Sequence, residues 1–385
     1  MFEPPCCPRI HCKAHKNPPE GFFRKKGYYR AKCRAHPIPR FLCKVCGKSF
    51  SRQTFRADYY DKRPDLNVPV MQSLCDGVGY RQSARSKGIR RNNLVAKARK
   101  IARHCRALHA NLLGRFDESS LRCEFAFDEA ETFEQSRVDK PLTLPVLIHQ
   151  EAFFIVASAV GTLPPRRRAD RARRRQEARR RERGKGSGKS ASNSDSSAAT
   201  TATASAEPRR SESRKVCAEV LGVAGKHCGP GAKVVLRTDL KSTYPRLAKD
   251  VFGERLVEHV QISSRAPRGP SSPLGRINLM FGILRDLVGR LRRRSWLVSK
   301  RRTYLQQHLD TFTCYRNYHR PRFNADQADD TPARLLGFVP RALSMQQILS
   351  WRQDFGRERS VHPLSTDGCT VAAFAVTAVA GDEAA

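Results

Sequence analysis

From Val68 to Ala102 the apolar residues recur at helical spacing in runs separated by glycines. Val68 to Leu74 predicts a first helix, Asp76-Gly77-Val78-Gly79 its stop, and Tyr80 to Lys87 a second helix ended by Gly88. A third begins at Asn92, where Leu94, Val95, Ala98, Ile101 and Ala102 share one face and Arg91, Asn93, Lys97 and Lys100 are left on the other. The period then changes to two. Leu121 to Phe127 alternates as a strand and delivers Asp128-Glu129 at its end, followed by strands over Leu142 to Ile148 and Phe153 to Val160. No room remains between these three for helices, so an antiparallel meander is expected. Further along come a helix over Lys215 to Lys226, a strand over Lys233 to Arg237 leading into Thr238-Asp239, a helix over Pro245 to Phe252 and a strand over Leu256 to Ile262. After a polar Pro/Gly loop, a long helix from Ile277 carries Leu284, Leu287, Val288 and Leu291 on one face and Arg285, Arg292 and Arg293 on the others.

Composition interrupts this order once. Arg166 to Arg183 holds eleven arginines against three acids, and Gly184 to Ala206 is Gly/Ser/Ala/Thr. The second part buries too little apolar surface to fold, which predicts a flexible insertion preceded by a solvated basic helix. The organisation expected is a Cys/His-rich head (1–60), a helical domain (61–117), a strand-rich core (118–325) with an insertion over 164–212, and a C-terminal tail (326–385).

Charge identifies the partner. The 385 residues carry 73 Lys and Arg against 36 Asp and Glu, a formal net charge of +37. A polyanion is the natural counterpart of such a chain, and a small-molecule substrate is not expected. No acidic residue occurs from Gly77 to Phe116, where eleven Lys or Arg fall. An ordinary solvated helical bundle interleaves both signs. The three helices are therefore read as a DNA-binding helix-turn-helix, with Arg81, Arg91, Asn93, Lys97 and Lys100 toward double-stranded DNA. The first residues lack a basic-then-apolar leader, and the apolar stretch Pro141 to Val160 is broken by His149, Gln150 and Glu151. The expected setting is cytoplasmic, nucleoid-associated and without a membrane span.

Six of thirteen cysteines fall within the first 46 residues. Thiols clustered in this way read as metal ligands rather than a disulfide framework. Cys7-x4-Cys12 and Cys43-x2-Cys46-Gly47 form two knuckles able to hold one structural Zn²⁺ as a zinc ribbon. Cys6, His11, His15, Cys33 and His36 are possible substitutes in the looser first knuckle.

Carboxylates at the ends of the first and fourth strands, in a β-β-β-α-β-α-β-α order, resemble the ribonuclease H-like fold, in which those strands are adjacent. Two such acids can bind Mg²⁺ or Mn²⁺ for phosphodiester chemistry. The series Arg40 to Phe55, Phe127 to Glu134, Thr238 to Pro245, Ile277-Asn278, Leu284-Arg285 and Arg290 to Lys300 is similar to the zinc-ribbon-bearing bacterial insertion-sequence transposases of the DDE type. That resemblance implies a multidomain α/β chain of zinc ribbon, helix-turn-helix and ribonuclease H-like catalytic core. The implied activity is binding of element ends followed by Mg²⁺-dependent cleavage and strand transfer within a homo-oligomer. Asp128 and Asp239 take the first two catalytic places, and Arg292, Arg293 and Lys300 are expected on DNA. The third place, usually glutamate, is Asn278, which offers a neutral oxygen but no charge. Three consequences stay open: an active branch with Asn, compensation by Glu129 or Glu131, or a decayed copy whose product is an inactive DNA-binding protein.

Overall fold

The structure is a computed structural model and describes residues 2–9, 11–114, 122–166, 209–263, 269, 272–292 and 297–351. The chain is mixed α/β. In the head, one helical turn, α1 (Lys13–Lys16), precedes an antiparallel sheet of β1 (Phe23–Tyr29), β2 (Ile38–Cys43) and β3 (Ser49–Ser51) in the order β1-β2-β3. Phe41 touches the rings of Phe2, Phe23 and Phe50, and Phe50 meets Phe55 edge-on. These aromatics and the buried cysteines form a core of their own. Each fully buried ring contributes roughly 1.5–3 kcal/mol, a large share for so small a unit.

Three helices follow: α2 (Asn67–Cys75), α3 (Tyr80–Ser86) and α4 (Arg91–Leu113). They stand where the apolar periodicity puts them, with Leu94, Ala98, Ile101 and Ala102 buried. Gly77 in the first turn has φ of 74°. A Cβ there would lie 2.7 Å from the Asp286 carbonyl oxygen, and one at Gly289 would lie 2.6 Å from the Gly77 carbonyl oxygen. Two backbones thus meet at a place that only glycine fits.

The larger sheet runs β6-β5-β4-β8-β9, from β4 (Arg122–Glu134), β5 (Ser136–His149), β6 (Phe154–Ser158), β8 (Lys233–Asp239) and β9 (Leu256–Ile262), with the short β7 (Gly161–Thr162) paired to β5. The first three are antiparallel neighbours, as the meander required, whereas β4 and β8, and β8 and β9, are parallel. Helices α5 (Ser213–His227) and α6 (Tyr244–Phe252) cover the face carrying Phe125, Phe127 and Glu129, where Phe127 meets Tyr244 at 5.1 Å. On the other face, Phe281 and Leu284 of α7 (Gly275–Leu287) lie against Ala130 and Leu144. Helix α8 (Arg302–Tyr318) binds β6 through Asn317, whose carboxamide pairs with both the N–H and the carbonyl of Ile155.

Several expected boundaries move. Strand β4 does not end at Phe127, because β5 pairs with it as far as Glu134 and extends it past the acids. The helix from Ile277 begins at Gly275 and stops at Leu287; Val288 is extended and Gly289–Leu291 forms a 3-10 turn against Gly77. Neither 117/118 nor 325/326 is a packing boundary, since buried residues from Val70 to Leu113, from Cys123 to Tyr318 and from Ala333 to Trp351 make one continuous core. The stretch from Pro332 to Trp351 is therefore part of the core rather than a tail, and 352–385 lies outside the described residues. Most of the insertion also lies outside them, but its neck is tight. Thr162 and Glu212 exchange backbone and side-chain hydrogen bonds at 2.9 Å, so the chain leaves and returns at one point. Among the described residues no helix is long and apolar enough to cross a membrane.

Candidate metal centre and acidic cleft

Cys7, Cys12, Cys43 and Cys46 place their sulfurs within 4.8 Å of one another. The Cys7–Cys46 and Cys12–Cys43 separations are 3.7 and 3.8 Å. A disulfide needs about 2.05 Å. Four Zn–S bonds of about 2.3 Å in a tetrahedron put neighbouring sulfurs about 3.8 Å apart. The donor set therefore fits a metal such as zinc. Gly47, with φ of 64°, turns the second knuckle so that its N–H reaches the Cys43 carbonyl at 2.9 Å. Burial pushes the Cys7 and Cys12 thiols up, whereas at Cys46 the Lys48 backbone and the neighbouring thiols outweigh burial and pull the thiol down. The alternatives separate cleanly. Cys6 is buried outside the cluster, His15 binds the Cys7 carbonyl at 2.6 Å, and Cys33 is exposed near the Asp61 carbonyl.

In the larger sheet the parallel pairing of β4 with β8 ends at Ala126 and Arg237. Asp128 and Asp239 each lie two residues beyond that last pair, so they occupy equivalent positions on neighbouring strands where the strands part. An open cleft of about 280 Å³ is lined by Asp128, Glu129, Ala130, Glu131, Asn278, Phe281 and Arg285. Asn278 stands in the first turn of α7, and Arg285 two turns further along the same side. Asp128 Oδ1 accepts from the Glu129 N–H at 2.7 Å, and Asp239 Oδ1 from the Lys241 N–H at 3.2 Å.

Glu129 borders the cleft, but its carboxylate is occupied. Oε1 accepts from the Lys241 ammonium and, at 2.7 Å, from the Tyr244 hydroxyl; Oε2 accepts from Thr143 at 2.6 Å and Ser213 at 2.8 Å. Although burial acts in the opposite sense, these donors bring its pKa down to about 2. A carboxylate that already accepts from four donors has little capacity left to bind a metal ion. Glu131 is exposed and paired with Arg166.

The basic face divides. Arg81, Arg91 and Asn93 are exposed as expected. Lys97 is not: its Nζ is buried among Asp61 Oδ2 at 2.6 Å, the Arg63 carbonyl at 2.6 Å and Asn67 Oδ1 at 3.0 Å. Lys100 likewise turns inward, to the Tyr59 carbonyl at 2.8 Å. Helical periodicity puts both outward, because the residues at 59–67 that receive them are invisible to a pattern drawn from α4 alone. The solvent stripe of that helix runs instead through Asn92, Ala96, Arg99 and Arg103, and their i, i+4, i+7, i+11 spacing is the signal that could have found it. Arg292 is exposed and bonded to the Asp286 carbonyl at 3.0 Å, Lys300 is exposed, and Arg293 lies outside the described residues. Comparison with family models, curated proteins and solved structures gives no match for this chain.

Proposed function

We propose that the chain is a DNA transposase of the DDE type, in which a zinc ribbon and helix-turn-helix bind element ends and a ribonuclease H-like core cuts and joins strands within a homo-oligomer. The observation that carries this reading is the strand order third-second-first-fourth-fifth, with Asp128 and Asp239 at equivalent positions on the adjacent first and fourth strands. That is the order in which a ribonuclease H-like core brings its two acids together. The oxygens of Asp128 and Asp239, with the Asn278 carboxamide oxygen on α7, are the hard donors that Mg²⁺ or Mn²⁺ takes. When bound there, such ions supply activation of an attacking hydroxyl and stabilisation of the leaving oxygen. Arg285, a cation in the cleft that Asp128 and Asn278 line, is suited to hold a phosphate oxygen beside Asp128. The exposed arginines of α4 and the exposed Arg292 supply phosphate contacts that position the duplex.

One observation favours a second reading, an inactive DNA-binding protein from a degenerate copy. Asn278 contributes no charge, and Arg285 further lowers the negative charge of the cleft. A strand-transfer assay with purified protein, labelled end DNA and Mg²⁺ or Mn²⁺ separates the two. Asp128→Asn and Asp239→Asn are expected to bring cleavage and transfer to background while leaving end binding and zinc content unchanged. Wild-type protein that binds its ends and never cuts them, but cuts once Asn278→Glu is introduced, would establish the second reading.

A further inference from the structure

Backbone pairing cannot hold Asp128 and Asp239 together, because the β4–β8 ladder has already ended two residues before either. Beyond that point β4 stays with β5, as far as Glu134, and β8 stays with β9, as far as the Asp239–Ile262 pair. Past that point the β4–β8 ladder does not itself hold the two acids level. We propose that Glu129 is the positioning residue that closes this gap, joining β4 at Asp128 to the end of β8 at Asp239.

The connection is continuous. Glu129 follows Asp128 directly, and its Oε1 takes the ammonium of Lys241 and the hydroxyl of Tyr244, two residues of the segment that leaves β8. The backbone N–H of Lys241 in turn donates to Asp239 Oδ1 at 3.2 Å. On the far side, Thr143 of β5 and Ser213 at the start of α5 fill Oε2 at 2.6 and 2.8 Å, fixing the carboxylate against a third and a fourth element. Phe127 packs edge-on to Tyr244 at 5.1 Å directly beneath. Strand alternation turns Glu129 away from the face that carries Asp128, so it acts through its neighbours and not as a ligand. Outer partners of this kind govern how well a ligand set is formed before the ion arrives.

This inference rests on Asp128 and Asp239 being divalent-cation ligands, and its test keeps the two claims apart. Mn²⁺ binding to the full-length, zinc-loaded protein is measured from the loss of the free-ion electron paramagnetic resonance signal. The proteins are wild type, Asp128→Asn, Glu129→Gln, Lys241→Met and Lys241→Arg, with a thermal melt on each. Lys241→Met keeps the test alive if Glu129→Gln does not fold. The expected result is Mn²⁺ binding lost in Asp128→Asn, weakened about tenfold in Glu129→Gln and in Lys241→Met, and largely restored in Lys241→Arg. Unchanged Mn²⁺ affinity in Glu129→Gln or Lys241→Met, with only the melting temperature moved, would overturn the positioning role and leave a structural pin. Mn²⁺ binding that is absent in wild type, or indifferent to Asp128→Asn, would overturn the metal-site reading itself.

Discussion

Lys97→Met tests whether α4 is held from outside or holds its own neighbours. The Lys97 ammonium and the Asp61 carboxylate are each only 9% exposed at the side chain, and three further acceptors lie around Nζ: the second Asp61 oxygen, the Arg63 carbonyl and Asn67 Oδ1. Methionine fills the stem of the lysine, so the substitution leaves almost no cavity. What it removes is the cation beside a buried carboxylate, and breaking such a pair from one side costs about 3–5 kcal/mol. At about 2–4 °C per kcal/mol for a unit of this size, the melting temperature should fall by roughly 6–20 °C. Removing the charge from both sides, in Asp61→Asn/Lys97→Met, should recover most of the loss.

The same variant must be compared with the solvent stripe. End-DNA affinity is measured over a salt series well below the melting point, where removing one cation from a phosphate lowers the slope of log affinity against log salt by about one. Lys97→Met should leave that slope at the wild-type value, whereas Arg99→Ala and Arg103→Ala should each reduce it. A melting temperature within about a degree of wild type, together with a slope lowered by about one in Lys97→Met, would refute the buried assignment and restore the outward one.

Two further outcomes follow from the head and from the buried titratable groups. Metal analysis of the purified protein should find about one zinc per chain, lost in Cys43→Ser with melting of the head, because three thiolates leave the tetrahedron open; wild type without zinc would end the assignment. Burial lowers His104, His149 and His308 to about 4 from an ordinary 6.5, so each is neutral in the folded chain and takes up a proton on unfolding at mildly acid pH. Stability should therefore fall as pH drops from about 6.5 to about 4, by roughly 1–3 kcal/mol per histidine. Asp310, raised by burial to about 6 despite Arg106, acts the other way but is one group against three. Urea midpoints that stay level between pH 7 and pH 4.5 would contradict this.

What the sequence made legible is what local chemistry decides. The Cys43-x2-Cys46-Gly47 knuckle, the glycines that stop α2 and α3, and the switch from helical to alternating period at β4 are all set by neighbours a few residues apart. The looser first knuckle yields only candidates, since Cys6 and Cys7 are adjacent in sequence and both buried in the head, and only the fold decides which sulfur joins the cluster. Asp128 and Asp239 are legible because a parallel register carries sequence position into space: an equal number of residues beyond the last pair puts two side chains level.

Glu129 shows where such reasoning stops. Its composition and position, an acid beside an acid at a strand, are those of a spare ligand, and alternation alone says only that it faces away from Asp128. Its partners are Thr143, Ser213, Lys241 and Tyr244, from three segments as much as 115 residues distant, and none has a local pattern that points to it. Lys97 on α4 is the same case, since Asp61 is 36 residues away and lies outside α2, α3 and α4. In both, a charged side chain is buried because a second charge reaches it from a distant segment, and without that partner burial would cost several kcal/mol. Buried ion pairs are thus the feature least visible to periodicity, which assigns every charge to solvent. In this chain those two pairs tie the segment before α2 to α4, and β4 at Glu129 to the loop after β8.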